Sequence, residues 1–182
     1  MPESPSIRHA THEDIPEVLA MINELAGFEN ALHEVKATEA SLSRTLSFAP
    51  ESSSSFHEDD KPNHLPERGY ARALILVDPD MRVAGMALYF YNYSTWRAAP
   101  GIYLEDLFVR PEYRKKGYGG LLIRELAKQV VGLNGGRLEW ACLKWNENAL
   151  NFYRGLGAKT MDEWVGLRVD GDALIKLAES EP

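Results

Sequence analysis

Apolar side chains recur three and four apart near the start of the chain: Ile15, Val18, Leu19, Ile22 and Leu25 share one face of a 3.6-residue period, which predicts an amphipathic helix. Thr11 and Asp14 stand where a reciprocal N-cap pair would. Pro16 fits poorly in a helix that begins at Thr11, so the start is expected a few residues away. A shorter helix is predicted from Thr38 to about Phe48, with Leu42 and Leu46 on its apolar face. From Ala49 to Gly69 (49–69) the pattern gives way to Ser, Pro, Asp and Glu, including Ser52 to Ser55 and Glu58-Asp59-Asp60. That composition predicts a mobile surface loop, a solvated insertion more than a substrate lid.

The pattern then changes to runs of strand formers. Ala71 to Val77, Val83 to Tyr93 and Ile102 to Val109 are such runs, the first two separated by a turn at Asp78-Pro79-Asp80, and they predict an antiparallel meander. Leu121, Leu122, Leu126 and Val130 restore the helical period from Tyr118 to about Val131, and Gly132 to Gly136 break it. A strand from Arg137 to Leu143, a helix from Asn148 to Leu156 closed by Gly157, a strand from Val165 to Val169 and a short helix near Leu174 complete the order. There is no internal repeat. Helices followed by strands, then strand-helix alternation, predict an α/β (α+β) fold: one mixed, partly antiparallel central sheet with helices on both faces. At 182 residues a single domain over 1–182 is expected.

Composition narrows the partners. The chain is 45% hydrophobic and 26% charged, as soluble globular proteins are. A net charge of -7 disfavours nucleic acid, whose affinity rests on Lys and Arg replacing counterions, and points weakly to a cationic substrate. Cys142 is the only cysteine, so no intrachain disulfide can form and a cytoplasmic location is expected. Neither a signal-like N-terminus nor an apolar run near the roughly 20 residues of a membrane span is present, so no membrane partner is expected. His9, His12, His33, His57 and His64 have no metal-ligand spacing, and no metal is expected.

The segment richest in chemistry is Val109-Arg110-Pro111-Glu112-Tyr113-Arg114-Lys115-Lys116-Gly117-Tyr118-Gly119-Gly120, between a predicted strand and a predicted helix. Helix N-terminal N–H groups are unpaired and carry the positive end of the dipole. Gly117, Gly119 and Gly120 let backbone approach an anion, and Arg114, Lys115 and Lys116 add charge. No Gly-Lys-Ser/Thr ending is present, and Leu122 occupies the third glycine position of a dinucleotide fingerprint, so neither of those phosphate loops fits. A tight turn with solvated basic residues is the other reading.

The spacing Arg114-x-x-Gly117-x-Gly119 resembles the acetyl-CoA signature of the GNAT acetyltransferases. Tyr93-Ser94-Thr95-Trp96, Ile102-Tyr103-Leu104-Glu105-Asp106-Leu107, Pro111-Glu112-Tyr113-Arg114, Trp145-Asn146, Asn151-Phe152-Tyr153 and Leu156-Gly157-Ala158 extend the resemblance to the branch with diamine (spermidine/spermine) and thialysine acetyltransferases. The resemblance implies acetyl-CoA as cosubstrate, its pyrophosphate cradled by Arg114, Lys115, Lys116, Gly117, Tyr118, Gly119 and Gly120. It also implies splayed strands, with pantetheine paired to the backbone of Leu107 and Val109 and hydrogen-bonded to Asn146. An N-cap role for Asn146 is compatible with that contact. Tyr153, also at the cofactor, would be the general acid on the departing thiolate, and Glu105 the base that frees the amine and lines its site. Glu29 and Trp96 would lie on the substrate side. A regular strand points Glu105 and Asp106 to opposite faces, so only one of them faces the cofactor. With Cys142 expected as a buried strand thiol and no His–Cys pair near it, direct attack is favoured over an acyl-enzyme.

Polyamine acetyltransferases of this branch carry an acidic residue just before the Trp96 position, where this chain has Ser94 and Thr95. That departure favours thialysine, ornithine, a lysine-like amino acid or a short diamine over spermidine or spermine. A polyamine acetyltransferase, a peptide or protein acetyltransferase and a non-catalytic acyl-CoA-binding module are the alternatives. Related enzymes are homodimers, and a homodimer is expected.

Overall fold

A computed structural model describes residues 4–49 and 69–180, in two compact units that divide after Ala141. Most of the loop expected over 49–69 lies outside the described residues.

In the first unit the chain opens with β1 (Ser6–His9) and a single 3-10 turn (His12–Asp14) before α1 (Ile15–Phe28). The turn resolves the Pro16 problem, since it places the proline in the first turn of α1, where no N–H is needed. The Asp14 carboxylate accepts from the Thr11 N–H at 2.7 Å and from Arg8 at 2.8 Å. Burial pushes its pKa up, but the Arg8 bond and the Thr11 backbone bond outweigh burial, and the net direction is down.

The second helix, α2 (Glu39–Thr45), is shorter than the expected Thr38 to Phe48. Thr38 caps it, its hydroxyl accepting from the Ser41 N–H at 3.1 Å. Leu46–Ser47 forms a short strand, β2, which pairs parallel to β3 (Ala71–Val77). β4 (Val83–Ser94) and β5 (Ala99–Val109) complete the antiparallel meander, α3 (Tyr118–Gly132) crosses over, and β6 (Leu138–Trp140) returns parallel to β5. The sheet order is β1-β3-β4-β5-β6, with β2 also beside β3.

Alternation along the strands divides the core. Ala73, Ile75, Val77, Met86, Leu88 and Phe108 pack with Val18 and Met21 of α1 and Leu42 of α2. On the other face Tyr89 donates to Gln129 of α3 at 2.8 Å, and Leu122 and Leu126 of α3 are fully buried. Helices therefore cover both faces, as the order of elements predicts.

Pairing between β5 and β6 is brief, running only from Ile102↔Leu138 to Leu104↔Trp140. Glu139 pins this stretch, taking Asn92 and Arg137 at 2.7 Å each. The strand expected from Arg137 to Leu143 is thus reduced to three residues.

The second unit holds α4 (Glu147–Gly155) and α5 (Gly171–Glu179). Gly157 follows α4 with a left-handed φ of 89°. Val165 to Val169 does not form the expected strand: it has the composition but no ladder among the described residues of the second unit. A strand needs a neighbour's backbone, which local composition does not supply. No helix among the described residues is long and apolar enough to cross a membrane.

Candidate active site

Beyond Leu104 the β6 side of β5 has no ladder partner among the described residues, while the other side stays paired with β4 to Val109. Leu107 and Val109 therefore sit on a stretch of strand paired on one side only. Unpaired backbone of this kind is where an extended ligand carrying amide groups can add itself to a sheet.

The ladder is irregular at one position. Leu88 is opposite Asp106 and Tyr89 is opposite Leu104, so Glu105 is an extra residue, a β-bulge. An extra residue reverses the alternation after it. Leu104 lies across from Tyr89 on the α3 side, whereas Asp106 lies across from Leu88 on the α1 side, and Glu105 is exposed between them. The expectation of opposite faces for Glu105 and Asp106 assumed a regular strand, and the bulge removes that assumption.

The bulge has an electrostatic consequence. Burial pushes the Asp106 carboxyl up to about 6, and the neighbouring charges of Glu105 and Glu29 push the same way. Glu29, the C-cap of α1, is thereby in electrostatic range of Asp106. The carboxylate of Asp106 has no hydrogen bond or ion pair among the described residues. The sequence reading missed Asp106 as the more buried carboxylate, because no glycine or proline marks the bulge.

Trp96 does not join this group within one chain. It is 90% exposed in the β4–β5 hairpin turn, two residues before Ala98, whose φ is 47°. From Ala99 to Asp106 the strand covers about 20 Å at ~3.3 Å per residue. Ser94, at the hairpin's base, is buried.

Past Val109 the chain makes a short turn and reaches the glycine-rich loop. Lys115 and Gly117 have φ of 63° and 79°, both left-handed, and α3 starts at Tyr118. A Cβ on Gly117 would meet no atom within 4 Å, so the glycine serves its φ and not a close contact. Tyr118 and Gly120 are buried, and the first N–H groups of α3 remain without helical partners. The basic side chains are already placed: Arg114 donates from Nε to the Val109 carbonyl at 2.9 Å, and Lys116 Nζ lies 5.3 Å from the Tyr113 ring centre. Left-handed backbone beside an open helix N-terminus is an anion-binding arrangement.

In the second unit, the Asn146 side chain caps α4, accepting from the Ala149 N–H at 3.1 Å. Tyr153 lies in α4 with its ring against Phe152. Burial, with a contribution from Cys142, raises its phenol to about 12, so it holds its proton throughout the neutral range. The Cys142 thiol is partly exposed and outside any strand, unlike the buried strand thiol expected.

The model of the Acetyltransferase (GNAT) family matches residues 38–158. The chain is 37% identical to an L-ornithine N5-acetyltransferase of Arabidopsis thaliana, covering 92% of this chain and 85% of that protein. It is 33% identical to a thialysine N-epsilon-acetyltransferase of Mus musculus, over 96% of this chain and 98% of the relative. Among solved structures, an integron cassette protein from V. cholerae superposes with a TM-score of 0.73 at 26% identity, covering 98% of this chain and 100% of the other. A ribosomal-protein-alanine N-acetyltransferase from Brucella melitensis shares the fold, with a TM-score of 0.61 at 14% identity over 92% and 100% of the two chains.

Proposed function

The chain belongs to the GNAT acetyltransferase family, and from that premise we propose that it transfers an acetyl group from acetyl-CoA to a primary amine of a small cationic metabolite by direct attack. Thialysine, ornithine, a lysine-like amino acid or a short diamine is the acceptor. The ornithine and thialysine acetyltransferases among its relatives support this choice over a polyamine, as does the absence of a carboxylate at Ser94 and Thr95.

The observation that carries the reading is the run from the half-paired end of β5 into the left-handed loop at Lys115 and Gly117. Acetyl-CoA has two amide groups and a pyrophosphate. Backbone at Leu107 and Val109 would take the amides, and the loop from Arg114 to Gly120 the pyrophosphate. Asn146 would contribute a pantetheine contact through its side-chain N–H groups, which donate to no partner among the described residues while its Oδ1 caps α4.

Only the neutral amine is a nucleophile, and a carboxylate beside it can take the ammonium's proton, directly or through water. Glu105 is the base in this reading, and Asp106 and Glu29 supply the negative field beside it. Asp106 near pH 6 is mostly ionised at neutral pH and can accept a proton, directly or through water. Tyr153, protonated throughout the neutral range, gives its proton to the departing thiolate. Holding donor and amine together supplies much of the remaining acceleration.

A cytoplasmic homodimer is part of the same reading. Sedimentation as a monomer at micromolar concentration would remove the dimer.

Release of CoA thiol from acetyl-CoA, measured with thialysine, ornithine, lysine, putrescine, spermidine, spermine and an N-terminal peptide, tests the function. Turnover is expected with the amino acids or putrescine. Turnover confined to spermidine and spermine would move the chain to the polyamine acetyltransferases, and CoA binding without any turnover would leave a binding module.

A further inference from the structure

Arg114 opens the glycine-rich loop, and three contacts fix its guanidinium. Nε donates to the Val109 carbonyl at 2.9 Å, and the guanidinium carbon lies 5.6 Å from the ring centre of Phe108 and 5.8 Å from that of Phe28. Phe108 is a buried strand residue of the α1-side core. Phe28 is the last residue of α1 and remains 45% exposed. The two Nη groups of Arg114 make no hydrogen bond or ion pair among the described residues.

A guanidinium tethered at Nε and held within cation–π range of two rings still has its Nη groups to offer, and they form the fork that grips a phosphate with two parallel hydrogen bonds. Holding the fork in advance removes the rotamer entropy that an unrestrained arginine loses on binding. We propose that Phe28 is a positioning residue for the CoA pyrophosphate: it orients Arg114 without touching the ligand. The inference rests on the acetyl-CoA reading of the loop. It also ties the loop to the end of α1, because Glu29, the residue after Phe28, is the acidic C-cap that acts on Asp106.

The test compares CoA binding by calorimetry with kcat/KM for S-acetylpantetheine, a donor that lacks the pyrophosphate. Phe28→Ala and Phe28→Leu should each weaken CoA binding about fivefold, the size of one exposed cation–π contact. Phe28→Tyr, which keeps the ring, should restore it. Kinetics with S-acetylpantetheine should be unchanged, and in an Arg114→Ala background the loss of Phe28 should cost nothing more. Equal weakening with both donors, a further loss in the Arg114→Ala background, or CoA binding indifferent to Phe28 would overturn the role. Failure of the wild-type protein to bind CoA would overturn the acetyl-CoA reading itself, an outcome visible before any variant is compared.

Discussion

Asp106 stands opposite Leu88 in the β4–β5 ladder, so a carboxylate shares a face with the apolar residues that pack under α1. Its pKa of about 6 lies above the ordinary 3.8, which means the folded protein binds this proton more tightly than the unfolded chain. The stabilising contribution is complete below about pH 4 and is lost as pH rises through about 6. Asp106→Asn should therefore raise stability at pH 7.5 by on the order of 1–3 kcal/mol, and the gain should vanish by pH 4. Thermal melts across that range check it. A pH-independent difference would mean that something other than charge burial separates the two proteins.

Turnover should respond to the same substitution in the opposite sense. Removing a charge beside the proposed amine site should lower kcat/KM for ornithine or thialysine at least tenfold while the affinity for CoA stays the same. Unaltered amine kinetics would leave Asp106 a buried acid with no part in the reaction.

Tyr153→Phe should lower kcat by about 100-fold with little change in the KM for acetyl-CoA, because the lost proton donor acts only as the thiolate departs. A phenol near 12 does not titrate in the neutral range, so any alkaline fall in wild-type activity below pH 9 should persist in this variant.

Gly117→Ala tests the loop's geometry. A φ of 79° costs an alanine about 1 kcal/mol, and no atom lies close enough to clash with its Cβ. The expected result is a modest fall in stability with weaker CoA binding, and Gly117→Asn should be milder, since asparagine tolerates left-handed backbone. Equal stability of all three proteins would show that the loop relaxes freely.

At the other end of the unit, Asp14→Ala removes both the Thr11 cap and the Arg8 pair, and should cost about 2 kcal/mol. Its pKa is lowered, so this contribution is present above about 4 and is lost as pH falls below it. Chemical denaturation at pH 7 and pH 3 should show the difference shrinking at the lower value.

Much of this molecule was legible in its sequence because the elements obey local rules. The 3.6-residue spacing from Ile15 to Leu25 and from Leu121 to Val130 marks helices that form where expected, and the strand formers after Ala71 mark the meander. What escaped depends on partners far along the chain. Val165 to Val169 has strand composition and no ladder among the described residues of its unit, β6 keeps only the residues that Glu139 pins, and the bulge at Glu105 follows from matching β5 to β4. The charge on Asp106 escaped for the same reason, since its burial is fixed by which face the bulge selects. Arg114 could be read as a basic residue of the loop, but its seat on Phe28 joins positions from opposite ends of the unit.

The half-paired stretch of β5 is also a sheet edge with no ladder partner among the described residues, and open edges invite strands from other molecules. Natural proteins guard such edges with charge, and the exposed Glu105 stands at the start of this one. Its carboxylate would then serve in the resting protein as well, keeping stray backbone off the stretch proposed to take the ligand. Occupancy by CoA would close the edge as a neighbouring strand does. The protein should accordingly be most prone to self-association when it is empty and that carboxylate is neutralised, and least so when it is loaded at neutral pH.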